Sequence, residues 1–319
     1  MTTPAFVFPG QGSQSVGMGK ALAAVSPAAA AVFARADEAL GTPISQLAWH
    51  GPAEDLDRTE NAQPALLAAS IALLEAGRAA RSERDLPASE PRFAAGHSMG
   101  QYSAFVASGV ISLEDGVRLV RRRGQLMQAS GAGRDGAMAA VIGLDDQHLP
   151  ELVRRASEHG TFGVANRNAP GQVVVSGERA AIEAVAGIAS ELGARKTIVL
   201  PVSVAAHSPL MAEAAEGMRD ALADIAFDDP RIPLLANADA RPISTAAEAK
   251  AELVEHLTRG VDWIAAIETM TRAGVDAFIE MGPGRVLTGL VKRIAPDAEA
   301  TAFDETIRDL LPTATAVTT

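Results

Sequence analysis

Three features of the sequence predict an α/β fold: a large α/β-hydrolase-like unit carrying an inserted small ferredoxin-like (βαββαβ) subdomain. The first is a short apolar run leading into G-x-S-x-G at residues 93–100, FAAGHSMG, the pattern of a strand-to-helix nucleophile elbow. The second is a middle stretch, residues 137–200, that reads strand, helix, strand, strand, helix, strand. The third is the return of α/β alternation after Pro201. The expected bounds are 1–132 and 202–311 for the large unit and 133–201 for the small one. Residues 312–319, rich in threonine, are expected to form a frayed tail.

Taken in order, residues 5–8 form an apolar strand, and PGQGSQ at residues 9–14 is a flexible polar turn after it. Helices are predicted over residues 21–40 and 63–81. Residues 82–92, with two prolines and mixed charges, read as a surface loop into the elbow strand. The helix after Ser98 should run to about residue 108. Another, over 113–128, turns Val117, Leu119, Val120, Gly124 and Met127 inward. In the inserted unit, strands are predicted over 137–142, 162–166, 172–176 and 195–200. Pro170 and Gly171 separate the middle pair, and helices span 145–157 and 179–192. Late strands fall at 233–236 and 277–280.

Composition narrows the function. With 319 residues, 48% of them hydrophobic, the chain can bury a large core. A net charge of −11 argues against wholesale nucleic-acid binding. The absence of cysteine removes disulfides, thiolate metal sites and a cysteine nucleophile. The first residues lack a basic and apolar secretory pattern, and the longest apolar stretch, residues 64–74, is too short to span a bilayer. A soluble cytoplasmic protein without metal is expected.

Ser98 is the candidate nucleophile. Gly96 and Gly100 allow strand and helix to approach closely, and the following helix N-terminus favours negative charge beside the serine oxygen. The pattern alone arises by chance in roughly one chain of this length in ten, so its surroundings matter. A serine needs a base. Of six histidines, His97 adjoins Ser98 and should diverge from it, and His148 and His159 lie in or beside an amphipathic helix of the inserted unit, where a solvated surface role is expected. His50 lies in a loop-like WHGP context. His207 is the strongest candidate, standing where the chain re-enters the large unit, against the alternative of a merely buried histidine. The Met99 N–H is the expected first oxyanion donor, and a second should come from the PGQGSQ turn. That turn could also be a phosphate loop or a plain turn, but Ser15 breaks the dinucleotide fingerprint G-x-G-x-x-G.

Seven blocks carry a resemblance: FVFPGQGSQ from residue 6, TENAQPAL from 59, GHSMGQYSA from 96, RRRGQLM from 121, NAPGQVVVSG from 168, AHSPLM from 206 and MGPGRVLTGL from 281. Together they closely resemble the malonyl-CoA:acyl-carrier-protein acyltransferases of fatty-acid synthesis and the related acyltransferases of polyketide synthesis, over residues 5–295. The resemblance implies Ser98 as the acylated nucleophile and His207 as its base. It implies an oxyanion hole from the Gln11 and Met99 N–H groups, a carboxylate grip by Arg123, and Gln63 lining the acyl site. A guanidinium fork suits a carboxylate independently of the family, although a solvated charge among Arg118, Arg121 and Arg122 is the alternative. No permanently bound cofactor is implied. A coenzyme A thioester is the substrate, and the partner is an acyl carrier protein with its phosphopantetheine arm. Docking would use local basic residues such as Arg195, Lys196, Lys292 or Arg293.

Three positions depart from the family pattern. Gln101 stands where a glutamate is usual. His256 replaces a glutamine whose backbone carbonyl orients the catalytic histidine, which leaves the carbonyl in place and adds a second titratable group. Ala206 replaces an aromatic beside the acyl pocket and leaves room for an α-substituent, so methylmalonyl or ethylmalonyl stands beside malonyl as substrate. A serine esterase or thioesterase is an alternative; it would add an acid between serine and histidine, where Asp115, Asp135, Asp145 and Asp146 lie. A non-catalytic carrier-binding subunit is a further one.

Overall fold

The computed structural model describes residues 2–86, 90–131, 135–202 and 204–303, so the expected tail at 312–319 lies outside the described residues. β1 (Pro4–Phe8) leads through the glycine turn to α1 (Lys20–Val25) and α2 (Pro27–Leu40). The single helix predicted over 21–40 is therefore two. Ser26 caps α2 by accepting the Ala29 N–H, and Pro27, lacking an N–H, starts it. Two short helices not predicted follow, α3 (Ile44–His50) and α4 (Ala53–Leu56), so His50 ends a helix rather than lying in a loop. α5 (Thr59–Ser82) begins four residues earlier than predicted and contains Pro64; it is buried along most of its length, the mark of a helix surrounded by other elements. β2 (Phe93–Gly96), α6 (Gly100–Ala107) and α7 (Leu113–Gly131) match their expectations closely.

The inserted unit comprises β3 (Gly136–Ile142), α8 (Leu149–Ala156), β4 (Phe162–Ala169), β5 (Gln172–Glu178), α9 (Arg179–Glu191) and β6 (Lys196–Val199). The start of the predicted helix at 145–157 is a 3-10 turn, Asp146–His148, with Asp145 accepting the Gln147 N–H. Beyond it lie α10 (Ala212–Ala221), β7 (Leu234–Leu235), β8 (Pro242–Ile243), α11 (Ala246–Glu255), β9 (Val261–Asp262), α12 (Trp263–Arg272), β10 (Ala277–Glu280), α13 (Val286–Ile294) and β11 (Glu299–Ala302). Strands β8, β9 and β11 were not predicted. The first two have only two residues each, too few to show a period.

The larger sheet has the order β11-β10-β1-β2-β7-β8, parallel except for β8. Both faces are covered, as parallel sheets require. Phe6 and Phe8 join the core beneath α2, α5 and α7, whereas Ala5 and Val7 face α12 and α13. The smaller sheet runs β6-β3-β5-β4-β9. Its first four strands are antiparallel to their neighbours in the ferredoxin-like order, and β9, from the later chain, adds a parallel edge beside β4. Ala137, Ala139 and Val141 pack against α8 and α9, while Met138 and Ala165 join the large core. Among the described residues no helix is long and apolar enough to cross a membrane.

Candidate active site

The turns leaving β1, β2 and β7 meet at the carboxyl edge of the parallel sheet. Ser98 follows β2 with φ of 53°, in the left-handed region that costs a non-glycine residue energy. The glycines around it are sterically obligatory. A Cβ on Gly96 would fall 2.0 Å from the Gly100 carbonyl carbon, and one on Gly100 would fall 2.1 Å from the Phe8 oxygen. The His97 N–H donates to Phe8 O at 3.0 Å and ties the elbow to β1.

His207, on the segment between β6 and α10, is buried and lies with Nε2 2.8 Å from Ser98 Oγ. Its Nδ1 is 2.7 Å from the His256 carbonyl oxygen and 3.0 Å from that of Arg259. Both can only accept, so Nδ1 carries the proton and Nε2 offers its lone pair to the serine hydroxyl. Burial first, and then the Arg123 charge, push the His207 pKa down to about 4. The ring is therefore neutral near pH 7 and able to accept a proton. None of the four aspartates between serine and histidine reaches it. Asp115 binds Ser112 and Arg118, Asp135 pairs with Arg179, Asp145 caps a turn and Asp146 pairs with Arg167.

His256 caps the end of α11, and its buried ring lies 6.2 Å from that of His207 and 5.7 Å from that of Tyr102. Burial holds it well below its ordinary pKa, so the side chain stays neutral while its carbonyl orients His207. The other histidines stay apart. His97 meets Asn168 Oδ1 at 2.8 Å and Trp263 edge-on, His50 and His159 are exposed, and His148 is half-buried.

Arg123 occupies the buried face of α7 and is 1% exposed, unlike a solvated helix charge. Gly124 makes this possible, since a Cβ there would lie 2.5 Å from Glu60 Cα, so α7 and α5 approach closely. One Arg123 terminal nitrogen donates to Gln63 Oε1 at 3.0 Å and the other to Ser98 Oγ at 3.1 Å. Its Nε has no partner, its charge lies 5.9 Å from the Tyr102 ring centre, and no carboxylate reaches it among the described residues. Gln63, fully buried, fixes the guanidinium and in turn donates to Met127 Sδ at 3.6 Å. A buried guanidinium without an anion is costly, and a carboxylate arriving beside Ser98 would relieve that cost.

The turn at residues 9–14 packs on the elbow, with a Cβ on Gly10 falling 2.6 Å from His97 O. Gln11 is held by its side chain to Thr59 Oγ1 at 3.2 Å. Neither its N–H nor that of Met99 meets an acceptor among the described residues. Ala206 is buried directly before His207 and belongs to the large core. Two asparagines were not singled out from the sequence: Asn168, which holds His97, and Asn237, which bonds the elbow at Ser98 N and Gly96 O. Asn168 sits in a polar run with Asn166 and Arg167 and opens a matching block, and Asn237 stands alone after β7; only pairing across 71 and 139 residues gives them their roles.

The sequence profile described as acyl transferase domain matches residues 5–310. The malonyl CoA-acyl carrier protein transacylase of Escherichia coli K12 is 42% identical over 305 residues, covering 96% of this chain and 97% of its own. Its Bacillus subtilis counterpart is 43% identical, covering 92% and 91%. The crystal structure of an acyl carrier protein S-malonyltransferase from Vibrio cholerae superimposes with a TM-score of 0.89 at 41% identity, covering 94% and 96%. A malonyl-transacylase solved in complex with a type II polyketide acyl-carrier protein gives 0.88 at 39% identity, covering 94% and 95%. A match of this extent makes the chain a member of the acyl transferase domain family.

Proposed function

We propose that the protein transfers a malonyl group from coenzyme A to the phosphopantetheine thiol of an acyl carrier protein through a Ser98 ester. The observation that carries this reading is Arg123, a buried guanidinium without an acidic partner among the described residues, one hydrogen bond from the nucleophile. His207 Nε2 takes the Ser98 proton as Oγ attacks the thioester carbon. The N–H groups of Gln11 and Met99 hold the tetrahedral oxyanion. Collapse expels the coenzyme A thiolate, which takes the proton from His207, and leaves malonyl-Ser98. The carrier thiol then gives its proton to His207 and attacks the ester, and Ser98 Oγ leaves with the proton returned. Arg123, fixed by Gln63, grips the free carboxylate throughout. No permanently bound cofactor or metal enters these steps.

Malonyl is the substrate, with α-substituted malonyl groups admitted to the degree that Ala206 leaves room beside His207. Arg195 and Lys196, with Lys292 and Arg293, are the surface offered to the acidic carrier. Arg195 lies against Gly143, whose N–H bonds Gly171 O, and Arg293 bonds Pro170 O and Gln172 on the same hairpin turn. That hairpin also carries Asn168, bonded to His97 at the elbow. We divide the chain into a catalytic unit at 1–132 and 202–311 and a small unit at 133–201, and place it in the cytoplasm.

Incubation with labelled malonyl-CoA, with and without an acyl carrier protein, tests the function. Label on the carrier thiol and little free malonate are expected. Rapid release of malonate without carrier would make the protein a hydrolase instead.

A further inference from the structure

The two carbonyls that orient His207 stand on one short stretch of chain, and both ends of that stretch are fastened to the same residue. His256 O and Arg259 O lie between α11 and β9. At the near end, Glu252 in the last turn of α11 is 1% exposed, and its Oε1 accepts the Asn237 N–H at 2.7 Å. At the far end, the Asp262 N–H donates to Asn237 O at 2.7 Å. Asp262 is held there by Arg167 of β4 at 2.5 Å and by the Ala265 N–H, which its other oxygen accepts at 3.0 Å. The buried Asn237 side chain in turn accepts the Ser98 N–H at 2.9 Å and donates to Gly96 O at 2.9 Å. One residue therefore joins the nucleophile to both ends of the stretch that holds the base.

Between those ends, the main-chain N–H groups of Thr258 and Arg259 return only to Glu255 O among the described residues, at 3.2 and 3.1 Å. The His207 backbone is itself in the left-handed region, with φ of 59°, so the direction of its ring depends on what receives the Nδ1 proton. A buried main-chain N–H left without an acceptor is costly, which makes the Glu252 oxygen the tie that keeps α11 against the end of β7. Burial first pushes the Glu252 carboxyl up to about 7, against the pull of the Asn237 N–H and of Arg241. Protonated or not, the group keeps an oxygen for Asn237. The tie therefore needs an acceptor rather than a charge.

We propose, on the footing that His207 is the base for Ser98, that Glu252 is a positioning residue. By closing the stretch 252–262 on Asn237, its acceptor oxygen fixes the His256 and Arg259 carbonyls relative to Ser98 and so aims the His207 ring.

The experiment compares the wild type, Glu252→Leu and Glu252→Gln in Ser98 acylation by malonyl-CoA and by acetyl-CoA. It also follows the proton NMR signal of the His207 Nδ1–H, a downfield imidazole resonance identified by its loss in His207→Ala. Thermal unfolding establishes the folded fraction of each variant. Glu252→Leu should lose about 10- to 100-fold in kcat on both substrates, with KM changed less than about threefold and the imidazole signal broadened or lost. Glu252→Gln, which keeps the acceptor, should stay within about threefold of the wild type in kcat and retain the signal. An unchanged kcat in Glu252→Leu, an equal loss in Glu252→Gln, or a loss confined to malonyl-CoA would overturn the proposal. Hydrogen exchange of the wild-type Asn237 and Asp262 amides needs neither variant nor substrate. Slow exchange is expected, and exchange at the rate of an open loop would overturn the two ties even if both variants misfolded. Slow exchange with an intact imidazole signal in a protein that never forms an acyl-enzyme would instead sink the acyl-transfer reading and leave the ties standing.

Discussion

Arg123→Ala separates carboxylate recognition from the rest of the machinery. In the folded protein the guanidinium is buried, donates to Gln63 and Ser98, and has a free Nε. A malonyl carboxylate placed against it would gain two charge-assisted hydrogen bonds, each worth about 1.5–3 kcal/mol. Their removal should cost about 3–6 kcal/mol, or about 10²- to 10⁴-fold in kcat/KM for malonyl-CoA. Acetyl-CoA lacks the carboxylate and would lose only the effect of the 3.1 Å contact on Ser98 Oγ, within about tenfold. The malonyl-to-acetyl preference should therefore fall by about 10- to 10⁴-fold. Both substrates are assayed with the same preparation, so any loss of folded protein divides out. Equal losses on the two substrates would refute the carboxylate grip, whatever their size.

Other outcomes follow from the same geometry. With His207 held at about 4, the acylation rate should stay flat down through pH 6 and fall only as pH approaches 4; a midpoint near the ordinary histidine value would contradict the buried, Arg123-facing ring. Stability carries the same sign. Below about pH 6.5 the unfolded chain binds a proton that folded His207 refuses, so stability present above that pH is lost as pH falls towards 4, by about 3 kcal/mol for this residue. Urea unfolding near neutrality and at mildly acid pH checks it, and His256→Gln should lessen the loss by removing a second buried imidazole of like behaviour. Ala206→Phe should penalise methylmalonyl- and ethylmalonyl-CoA relative to malonyl-CoA in a competition assay. An unchanged preference would remove Ala206 from substrate selection.

What the sequence revealed was set by how local each cause is. The elbow was legible because a Cβ at residue 96 would collide with Gly100 and one at residue 100 with β1, so both flanking positions must be glycine. The inserted unit was legible because its strands are long enough to show alternation and its helices to show a stripe. Strands β8 and β9, of two residues each, carry no period, and their place depends on pairing with β7 and with β4. Ser26 and Pro27 do mark a helix start, yet the alanine-rich run on both sides obscured the break. Arg123 was ambiguous from the residues alone: with Arg121 and Arg122 beside it, only the close approach of α7 to α5 at Gly124 turns this one inward. His207 was suggested by its position in the chain. Its main-chain partner at residue 256 was implied only by the resemblance and not by the residues themselves, because the acceptors are carbonyls 49 and 52 residues away.

The central claim is that the Ser98 hydroxyl carries the diacid between two thiols. Acid quenching during turnover with malonyl-CoA, followed by peptide mapping in a mass spectrometer, tests it most directly. The mass of one malonyl group should appear on the peptide containing Ser98, disappear when carrier protein is added, and be absent in Ser98→Ala. A label on another residue, or steady turnover with an unmodified Ser98 peptide, would contradict the account.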